Sequence, residues 1–437
     1  MGGVMKRYPK YKESDVDWIG KIPEHWEVRP VYVMATLRNG YPFKSELFEK
    51  YGAHADRLIR IRDLLSDDER IFTREQCPVG SLAFNGDVLI GMDGDFNVHR
   101  WVRGPAKLNQ RMCALRGRND SITQYLHYAL PQPLRVINEL AYATTVKHLS
   151  SYEVLHLHLP IPPMGEMSLI VRVLDCEVAR IDALIEKKAR FVELLKEKRQ
   201  AVITHAVTKG LDPNVKLKDS GVEWIGDVPG HWTVPKLRHV ATVQTGTAKG
   251  KDVRAAETVL IPYLRVANVQ DGYLDLSDVA QIEISKADLP RYLLRAGDVL
   301  MNEGGDNDKL GRGHIWRGEI DPCIHQNHVF AVRPHLLSSE WLNAYTGSSS
   351  AQAFFMSMAK QTTNLASISS SNLMDLPVPR PSDEEQASIL TYTKAVSARI
   401  DVLIIKTECS IALLKERRAA LITDAVTGQI DLREEAA

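Results

Sequence analysis

The chain has 437 residues, which is too long for a single hydrophobic core and suits two to four domains. Its hydrophobic share is 44%, its charged share is 25%, and 55 basic residues balance 55 acidic ones, as in an ordinary globular protein. Neither a long apolar stretch nor a signal peptide is present, so we expect no membrane span. The five cysteines are scattered, which argues against disulfides and a zinc ribbon and favours the cytoplasm.

The sequence repeats itself in tandem. The segment Trp18–Trp26 (WIGKIPEHW) recurs 206 residues later as Trp224–Trp232 (WIGDVPGHW). A second segment, Ala179–Asp182, recurs 219 residues later as Ala398–Asp401. Two segments that repeat in the same order indicate one module of about 210 residues, duplicated. We expect two similar binding surfaces in a pseudo-twofold arrangement.

Residues 26–163 and 232–379 are predicted to be globular α+β domains with twisted, largely antiparallel sheets. Short alternating runs such as Leu58–Arg62 are separated by turn-forming Gly, Asn and Asp residues. The two domains align at Gly86–Leu89 and Gly297–Leu300, and Gln110 is matched with Gln326. The framework is kept while the loops differ, which favours two sites that read different targets.

Two long helices are predicted, from about Gly165 to Thr208 and from about Ser382 to Thr427. Ser382 with Glu385 forms a capping-box pattern, and Gly428 is a predicted C-cap. The stripes expected to pair the helices as an antiparallel coiled coil, and to bind partners, are Ile181, Leu184, Phe191 and Leu195 with Ile400, Leu403, Ile411 and Leu414. The alternative is that each helix packs only along its own domain.

The sequence lacks the motifs of catalysis. An adenine methyltransferase needs an N/D-P-P-Y/F motif, and none occurs. The Gly-rich segments Glu303–Asp306 and Gly246–Lys251 match neither a dinucleotide fingerprint nor a P-loop. No carboxylate or cysteine pattern joins His325 and His328 into a metal site. We therefore expect neither an enzyme nor a metalloprotein.

Four tryptophans recur in the repeated segments rather than in the varied domains. They could be base-stacking aromatics, but packing against the long helices is the favoured interpretation. The residues are Trp18, Trp26, Trp224 and Trp232.

Several motifs resemble those of specificity subunits of type I restriction–modification systems. The opening Met5–Lys12 (MKRYPKYK) and the WIG…P-x-HW pattern resemble the family's start, so residues 1–4 could be an upstream extension. The L-L-K-E-[KR]-R and I-T-x-A-V-T motifs match Leu194–Arg199 with Ile203–Thr208, and Leu413–Arg418 with Ile422–Thr427. These motifs follow the family's order twice, and the resemblance covers nearly the whole chain.

The resemblance implies a non-catalytic DNA-reading subunit in which each recognition domain binds one half of a bipartite target. The helices would fix the gap and dock two methyltransferase subunits, restriction subunits would join the full complex, and S-adenosylmethionine and ATP would belong to those partners. The implied domains are an N-terminal repeat segment (1–25) that completes the C-terminal helical region, target-recognition domain 1 (26–163), a central helical region (164–231), target-recognition domain 2 (232–379) and a C-terminal helical region (380–437).

The family's recognition domains vary too much to transfer contacts, so the DNA-contacting residues are predicted from chemistry. Arg reads guanine bidentately, and Asn or Gln reads adenine. In the first domain the predicted residues are Arg60, Arg62, Arg100, Arg103, Asn109, Gln110 and Arg111, with Thr144, Thr145, Lys147 and His148 in a later loop. In the second they are Arg265, Asn268, Asn302, Asn307, Lys309, Arg312, Gln326 and Asn327, with Thr362, Thr363 and Asn364 in the aligned loop.

A protein–protein scaffold is the rival hypothesis. In it the duplicated helices organise partners and the globular domains read no DNA. The net charge of zero is its best support, since nucleic-acid-binding domains are usually basic.

Overall fold

The computed structural model describes residues 6–52, 55–66, 68–140, 147–248, 257–305, 310–311, 313–361 and 366–433. The chain divides into two compact units. Unit 1 is Met1–Lys188 with Cys409–Ala437, and unit 2 is Ala189–Glu408. The fold class is α+β, as predicted, and each unit contains part of both long helices.

The helices include the two long ones that the sequence predicts. In chain order they are α1 Val31–Met34, α2 Asp120–Ala129, α3 Pro131–Leu140, α4 Ser151–His156, α5 Met164–Lys209, α6 Leu289–Tyr292, α7 Ser339–Thr346, α8 Ser349–Met358, α9 Ser370–Leu373 and α10 Asp383–Val426. Helix α5 has 46 residues and α10 has 44. The predicted bounds are therefore confirmed to within one residue at each end.

The strands of unit 1 form a central sheet, a smaller sheet and two two-stranded pairs. They are β1 Tyr11–Glu13, β2 Lys21–Pro23, β3 Glu27–Pro30, β4 Ala35–Asn39, β5 Asp56–Ile59, β6 Ile71–Thr73, β7 Leu82–Ala83, β8 Val88–Gly91, β9 Val98–Arg100, β10 Ala106–Leu108, β11 Met112–Gly117 and β12 His158–Ile161. The central order is β4-β11-β8-β9, the smaller sheet is β6-β5-β10-β7, and the pairs are β1-β2 and β3-β12.

The strands of unit 2 form sheets of closely similar order. They are β13 Leu217–Asp219, β14 Asp227–Pro229, β15 Ala241–Thr245, β16 Thr258–Leu264, β17 Ala280–Ser285, β18 Val299–Asn302, β19 Gly304–Gly305, β20 Gly313–Ile315, β21 Ile324–His325, β22 Val329–Pro334, β23 Lys360–Gln361 and β24 Ala366–Ser367. The central order is β15-β22-β18-β20, accompanied by β17-β16-β21, β13-β14 and β19-β24-β23. Pairing is mostly antiparallel, but β5 with β10 and β16 with β21 are parallel.

Both central sheets are buried on two faces. In unit 1, Val88 and Ile90 face a core that includes α2 and α5, while Leu89 between them faces a second core around Trp101. In unit 2, Val299 and Leu300 divide in the same way between two cores. Because successive side chains of a strand point to opposite faces, a run of apolar residues fills both cores.

A buried aspartate starts each central strand at the predicted Gly-Asp turns. Gly86 has φ +86° and Gly297 has φ +95°, the left-handed conformation that glycine favours. The Asp87 carboxylate is fully buried and accepts hydrogen bonds from Arg116 Nε at 2.6 Å and from the Phe84 amide at 2.6 Å. These bonds compensate for the cost of burying the charge, so the turn is structural.

The predicted capping box at the start of α10 is only half formed. Ser382 Oγ accepts from the Glu385 amide at 3.3 Å, as expected. The Glu385 carboxylate does not return to the cap, because it accepts from Trp232 Nε1 at 3.0 Å and contacts His231 Nε2 at 2.9 Å. Trp232 is fully buried, so packing against a long helix, rather than base stacking, is confirmed for it.

Some residues that were predicted to form the apolar stripes of the long helices are exposed, and the residues that pack lie one position further along the chain. Ile181, Leu195 and Ile400 are buried, but Leu184 is 42% exposed and Phe191 is 46% exposed. Leu403 is also exposed, whereas Ile411 and Leu414 are half-buried. The three exposed residues, Leu184, Phe191 and Leu403, were therefore wrongly assigned to the helix-pairing seam.

The reason is that two register choices satisfy the same spacing. Two series of positions start from Ile181 and alternate steps of three and four residues. One passes through Leu184 and Phe191, and the other passes through Ile185 and Val192. In the structure Val192 of the second series is buried and Ile185 is half-buried. In unit 2, Val192 and Leu195 pack with Ile400 and Ile404, and in unit 1, Ile185 and Leu414 join one core.

The two helices also form the same ion pair in each unit. In unit 2, Arg199 NH1 lies 2.7 Å from Asp401 Oδ1, and in unit 1, Arg418 Nε lies 2.8 Å from Asp182 Oδ1. The two pairs are equivalent, because Asp401 follows Asp182, and Arg418 follows Arg199, by 219 residues. Within each unit this ion pair therefore joins one long helix to the other.

Candidate nucleic-acid interface

Four segments that are separated in sequence meet at one end of the central sheet of unit 1. The Asn109 amide donates to Ile59 O at 3.0 Å, which places the turn between β10 and β11 beside the end of β5. The Met92 amide donates to Arg111 O at 2.9 Å, and Leu149 donates to Met92 O at 2.8 Å. We call residues 60–62, 92–94, 109–111 and 147–148 turn cluster 1.

Two arginines of turn cluster 1 have different roles. Arg60 donates from Nε and NH2 to the Asp63 carboxylate at 3.1 and 2.9 Å and from NH2 to Glu69 O at 3.0 Å. Its guanidinium therefore holds the turn after β5 and gives no support to the predicted DNA contact. Arg62 is exposed and makes no ion pair among the described residues.

Arg111 and His148 are held by a common carboxylate. Arg111 Nε lies 3.2 Å from Asp93 Oδ2, and His148 Nδ1 lies 2.7 Å from Asp93 Oδ1. Beside them Gln110 is exposed, and Lys147 donates to Asn138 Oδ1 at 2.7 Å. The structure thus brings together the predicted residues Asn109, Gln110, Arg111, Lys147 and His148.

Two predicted arginines lie away from this cluster. Arg100 pairs with Val88 at the opposite end of the β8–β9 ladder, and its NH1 lies 3.8 Å from Asp175 Oδ2 on α5. Arg103 packs over the Trp101 ring at 5.7 Å from the centroid. Grouping Arg100 and Arg103 with the readout residues was therefore wrong, because β9 carries them to the other end of the sheet.

Unit 2 repeats the backbone arrangement of turn cluster 1. The Gln326 amide donates to Leu264 O at 2.8 Å, Glu303 donates to His328 O at 2.9 Å, and Ile368 donates to Glu303 O at 2.9 Å. We call residues 265–268, 302–305, 326–328 and 366–368 turn cluster 2. Gln326 takes the place of Asn109, so its predicted match with Gln110 was wrong by one residue.

Some predicted residues of turn cluster 2 are structural. Asn268 is buried, its Nδ2 donates to Asp275 O and Asp278 O, and its Oδ1 accepts from the Arg265 amide at 2.8 Å. A DNA contact by Asn268 is therefore contradicted, because its amide is already fully used. Arg265 NH2 donates to Asp278 Oδ2 at 2.8 Å.

The remaining polar side chains of turn cluster 2 lie nearer the surface. Asn302 Nδ2 donates to Val269 O at 2.8 Å, and Gln326 Oε1 accepts from the Val266 amide at 3.3 Å. Asn327 contacts His328, whose Nδ1 lies 2.6 Å from Glu303 Oε2. Asp93 and Glu303 are therefore features that sequence reasoning missed, although each follows an apolar strand near a glycine.

Several predicted DNA contacts fall outside the described residues. They are Thr144, Thr145, Asn307, Lys309, Arg312, Thr362, Thr363 and Asn364. These contacts remain predictions.

Neither a metal cluster nor a membrane-spanning helix occurs in the part of the chain that the structure describes. No group of three or more His, Cys, Asp or Glu residues could hold a metal there. His325 is buried with Nδ1 2.7 Å from Val329 O, and burial lowers its pKa. No described helix is long and apolar enough to cross a bilayer.

Comparison with known proteins finds sequence relatives over most of the chain. A family model described as the type I restriction modification DNA specificity domain matches residues 23–193. The specificity subunit of the Escherichia coli EcoBI enzyme is 28% identical over 436 residues, covering 96% of this chain and 89% of that protein. The EcoKI specificity subunit of Escherichia coli strain K12 is 23% identical, covering 94% of this chain and 90% of that protein.

Two solved structures share the fold. One comes from work on the complex assembly and conformational transition of the type I R-M system. It has a TM-score of 0.68 and 16% identity, covering 94% of this chain and 99% of that one. The HsdS subunit from Thermoanaerobacter tengcongensis has a TM-score of 0.51 and 16% identity, covering 96% of this chain and 100% of that one.

The chain is thus built from two α+β units and two repeated helices. In sequence it is similar, over nearly its whole length, to specificity subunits of type I restriction–modification systems, and residues 23–193 match the model of their DNA specificity domain.

Proposed function

We propose that this chain selects the DNA target of a type I restriction–modification complex, each unit reading one half of a bipartite site in double-stranded DNA. The recurrence of a turn cluster in each unit carries the proposal. Both clusters rest on the same three backbone hydrogen bonds but present different polar side chains. A shared scaffold with different readout groups suits two unlike half-sites.

The long helices are proposed to form an antiparallel coiled coil that sets the gap between half-sites and gives the chain pseudo-twofold symmetry. The recurring ion pairs Arg199–Asp401 and Arg418–Asp182 support the pairing. Residues 26–163 and 232–379 would be the two recognition domains, with repeated helical regions at 164–231 and 380–437 and the segment 1–25 completing the latter.

Two methyltransferase subunits are proposed to dock on the helices, and restriction subunits would complete the complex. Leucines at equivalent repeat positions remain exposed: Leu184 with Leu403, and Leu194 with Leu413. Exposed apolar side chains that recur in this way fit two copies of one partner. S-adenosylmethionine and ATP would belong to the partner subunits, and the complex would work in the cytoplasm.

A domain swap tests the modular reading of DNA. Residues 26–163 are replaced by the corresponding domain of another specificity subunit, and the methylome of the host is sequenced. One half of the methylated motif should change while the other half stays the same. A change in both halves would contradict the proposal that each unit reads its own half-site.

A heptad insertion tests the helices as the determinant of the gap. Seven residues are inserted after Arg190 and after Cys409, which occupy equivalent positions in the repeat. Seven residues preserve the apolar spacing and add about 10 Å of helix, or about three base pairs of DNA. The gap should lengthen with both half-sites unchanged, and an unchanged gap would refute this role.

Docking is tested by placing a charge on the exposed leucines. Leu184→Asp and Leu403→Asp should each weaken binding of the methyltransferase subunit in analytical ultracentrifugation. Ala189→Asp is the matched control, because Ala189 is exposed on a different face of α5. Equal binding by all three variants would exclude this surface as the dock.

The scaffold hypothesis is separated from DNA reading by a gel-shift series. The chain and its methyltransferase subunits are titrated with a randomised duplex pool at increasing salt. DNA reading predicts a selected bipartite sequence and an affinity that falls with salt. A scaffold predicts neither outcome.

A further inference from the structure

We propose that Asp93 is a positioning residue that holds Arg111 and His148 for base readout in one half-site. Glu303 does the same for His328 in the other half-site. This inference rests on the proposed function and adds to it the groups that orient the reading side chains.

The carboxylate in turn cluster 1 lies deeper than the groups that it holds. The Asp93 side chain is 27% exposed, whereas Arg111 is 53% and His148 is 47% exposed. If His148 Nδ1–H donates to Asp93 Oδ1, then Nε2 faces away from the carboxylate. Exposed ion pairs contribute little to stability, so orientation is the main consequence of this contact.

Unit 2 reaches the same arrangement with different residues. The Glu303 amide donates to His328 O, as the Met92 amide donates to Arg111 O, so His328 stands in the place of Arg111. The carboxylate comes from Glu303 itself, one position earlier than Asp93 in the corresponding loop and one methylene longer. The Glu303 side chain is 29% exposed and that of His328 is 55% exposed.

The neighbours of Asp93 indicate a surface that faces nucleic acid. The exposed Arg62 follows β5, and the Ile61 side chain packs close to Gly91 at the start of the Asp93 loop. Gln110 is exposed in the adjoining turn. A guanidinium that is fixed from behind can present its remaining donors to guanine O6 and N7.

A carboxylate at this position also affects which DNA groups the neighbouring basic side chains bind. It repels phosphate oxygens and leaves base-edge acceptors, which are uncharged, less affected. Asp93 should therefore lower sequence-independent binding while it raises sequence-specific binding. A residue that served only the fold would not separate these two affinities.

The experiment uses the full chain assembled with its methyltransferase subunits and a randomised duplex pool. Sequencing of the selected duplexes reports base preference in each half separately. Asp93→Asn should reduce the preference in one half by about ten- to hundredfold, the range of one bidentate base contact. Glu303→Gln should reduce the preference in the other half, and affinity for unselected duplex should be unchanged or higher in both variants.

The controls separate positioning from other effects. Asp95→Asn removes the same charge from an exposed neighbour in the same loop and should select the wild-type sequence. Arg111→Ala should resemble Asp93→Asn, and the double variant should lose little more than either alone. Hydrogen exchange that matches the wild type in both units would show that folding is intact.

The outcomes also separate this inference from the proposed function. If the wild-type complex selects no sequence, the proposed function fails. If it selects a bipartite sequence and Asp93→Asn selects the same one with equal preference, only the positioning role is overturned. A loss of specific and unselected binding together would likewise overturn it.

Discussion

Trp26 donates its indole N–H to the Glu166 carboxylate at 3.2 Å. The same carboxylate accepts from the Tyr8 hydroxyl and contacts His25 Nε2 at 2.9 Å, and its side chain is only 8% exposed. Glu166 lies in the first turn of α5, so this contact fastens the N-terminal repeat segment to the start of a long helix. In unit 2, Trp232 and Glu385 make the equivalent contact at 3.0 Å.

Replacement of Glu166 by Ala should destabilise unit 1 by about 2 kcal/mol, because buried donors lose their acceptor. Hydrogen exchange measured by mass spectrometry should accelerate in residues 8–26 and at the start of α5. Glu186→Ala, an exposed change on the same helix, is the control and should leave exchange unchanged. Equal exchange in both variants would show that the Glu166 contacts are not stabilising.

The helix seam should depend on apolar packing more than on its ion pairs. Leu195→Ala should lower the free energy of unfolding by about 2–5 kcal/mol, because Leu195 is buried against Ile400 and Ile404. Asp401→Ala should cost less than about 1 kcal/mol, because its pair with Arg199 is nearly half exposed on both sides. Urea unfolding curves of the two variants test this order, and the reverse order would contradict it.

The cysteines should differ sharply in reactivity. Burial raises the pKa of the Cys113 and Cys323 thiols to about 12, which leaves little thiolate at pH 8. Cys176 and Cys409 are exposed on the long helices. Iodoacetamide labelling followed by peptide mass spectrometry should modify the exposed pair first. Labelling of Cys113 as fast as Cys176 would contradict the packing of β11.

Acid should weaken unit 1 through His127. Burial, with smaller contributions from His99 and Arg100, lowers the pKa of His127 to about 4 from its usual 6.5. As the pH falls from 6.5 towards 4, the unfolded chain gains a proton that the folded chain does not, so stability decreases over this window. Below about pH 4 both states are protonated and the contribution is constant.

Urea midpoints measured between pH 7 and 4 test this effect in the wild type and in His127→Gln. The variant has no imidazole to titrate, so its midpoint should fall less steeply. Parallel curves would assign the acid sensitivity to other groups.

The sequence by itself determined the features that depend on near neighbours. The tandem repeat, the bounds of α5 and α10, the turns that precede Asp87 and Asp298, and the family resemblance were all present in local patterns. Helix length and turn position follow from residue types within a few positions along the chain. Local reasoning was therefore sufficient for them.

Only the tertiary structure decided which side chains face a partner. The series through Leu184 and the series through Ile185 have the same spacing, and packing against the other helix selected the second. Arg60 was indistinguishable from Arg62 in sequence until Asp63 and Glu69 O were seen to hold its guanidinium. Asp93, Arg111 and His148 meet because hydrogen bonds between distant segments close one end of a sheet, and no local pattern specifies such contacts.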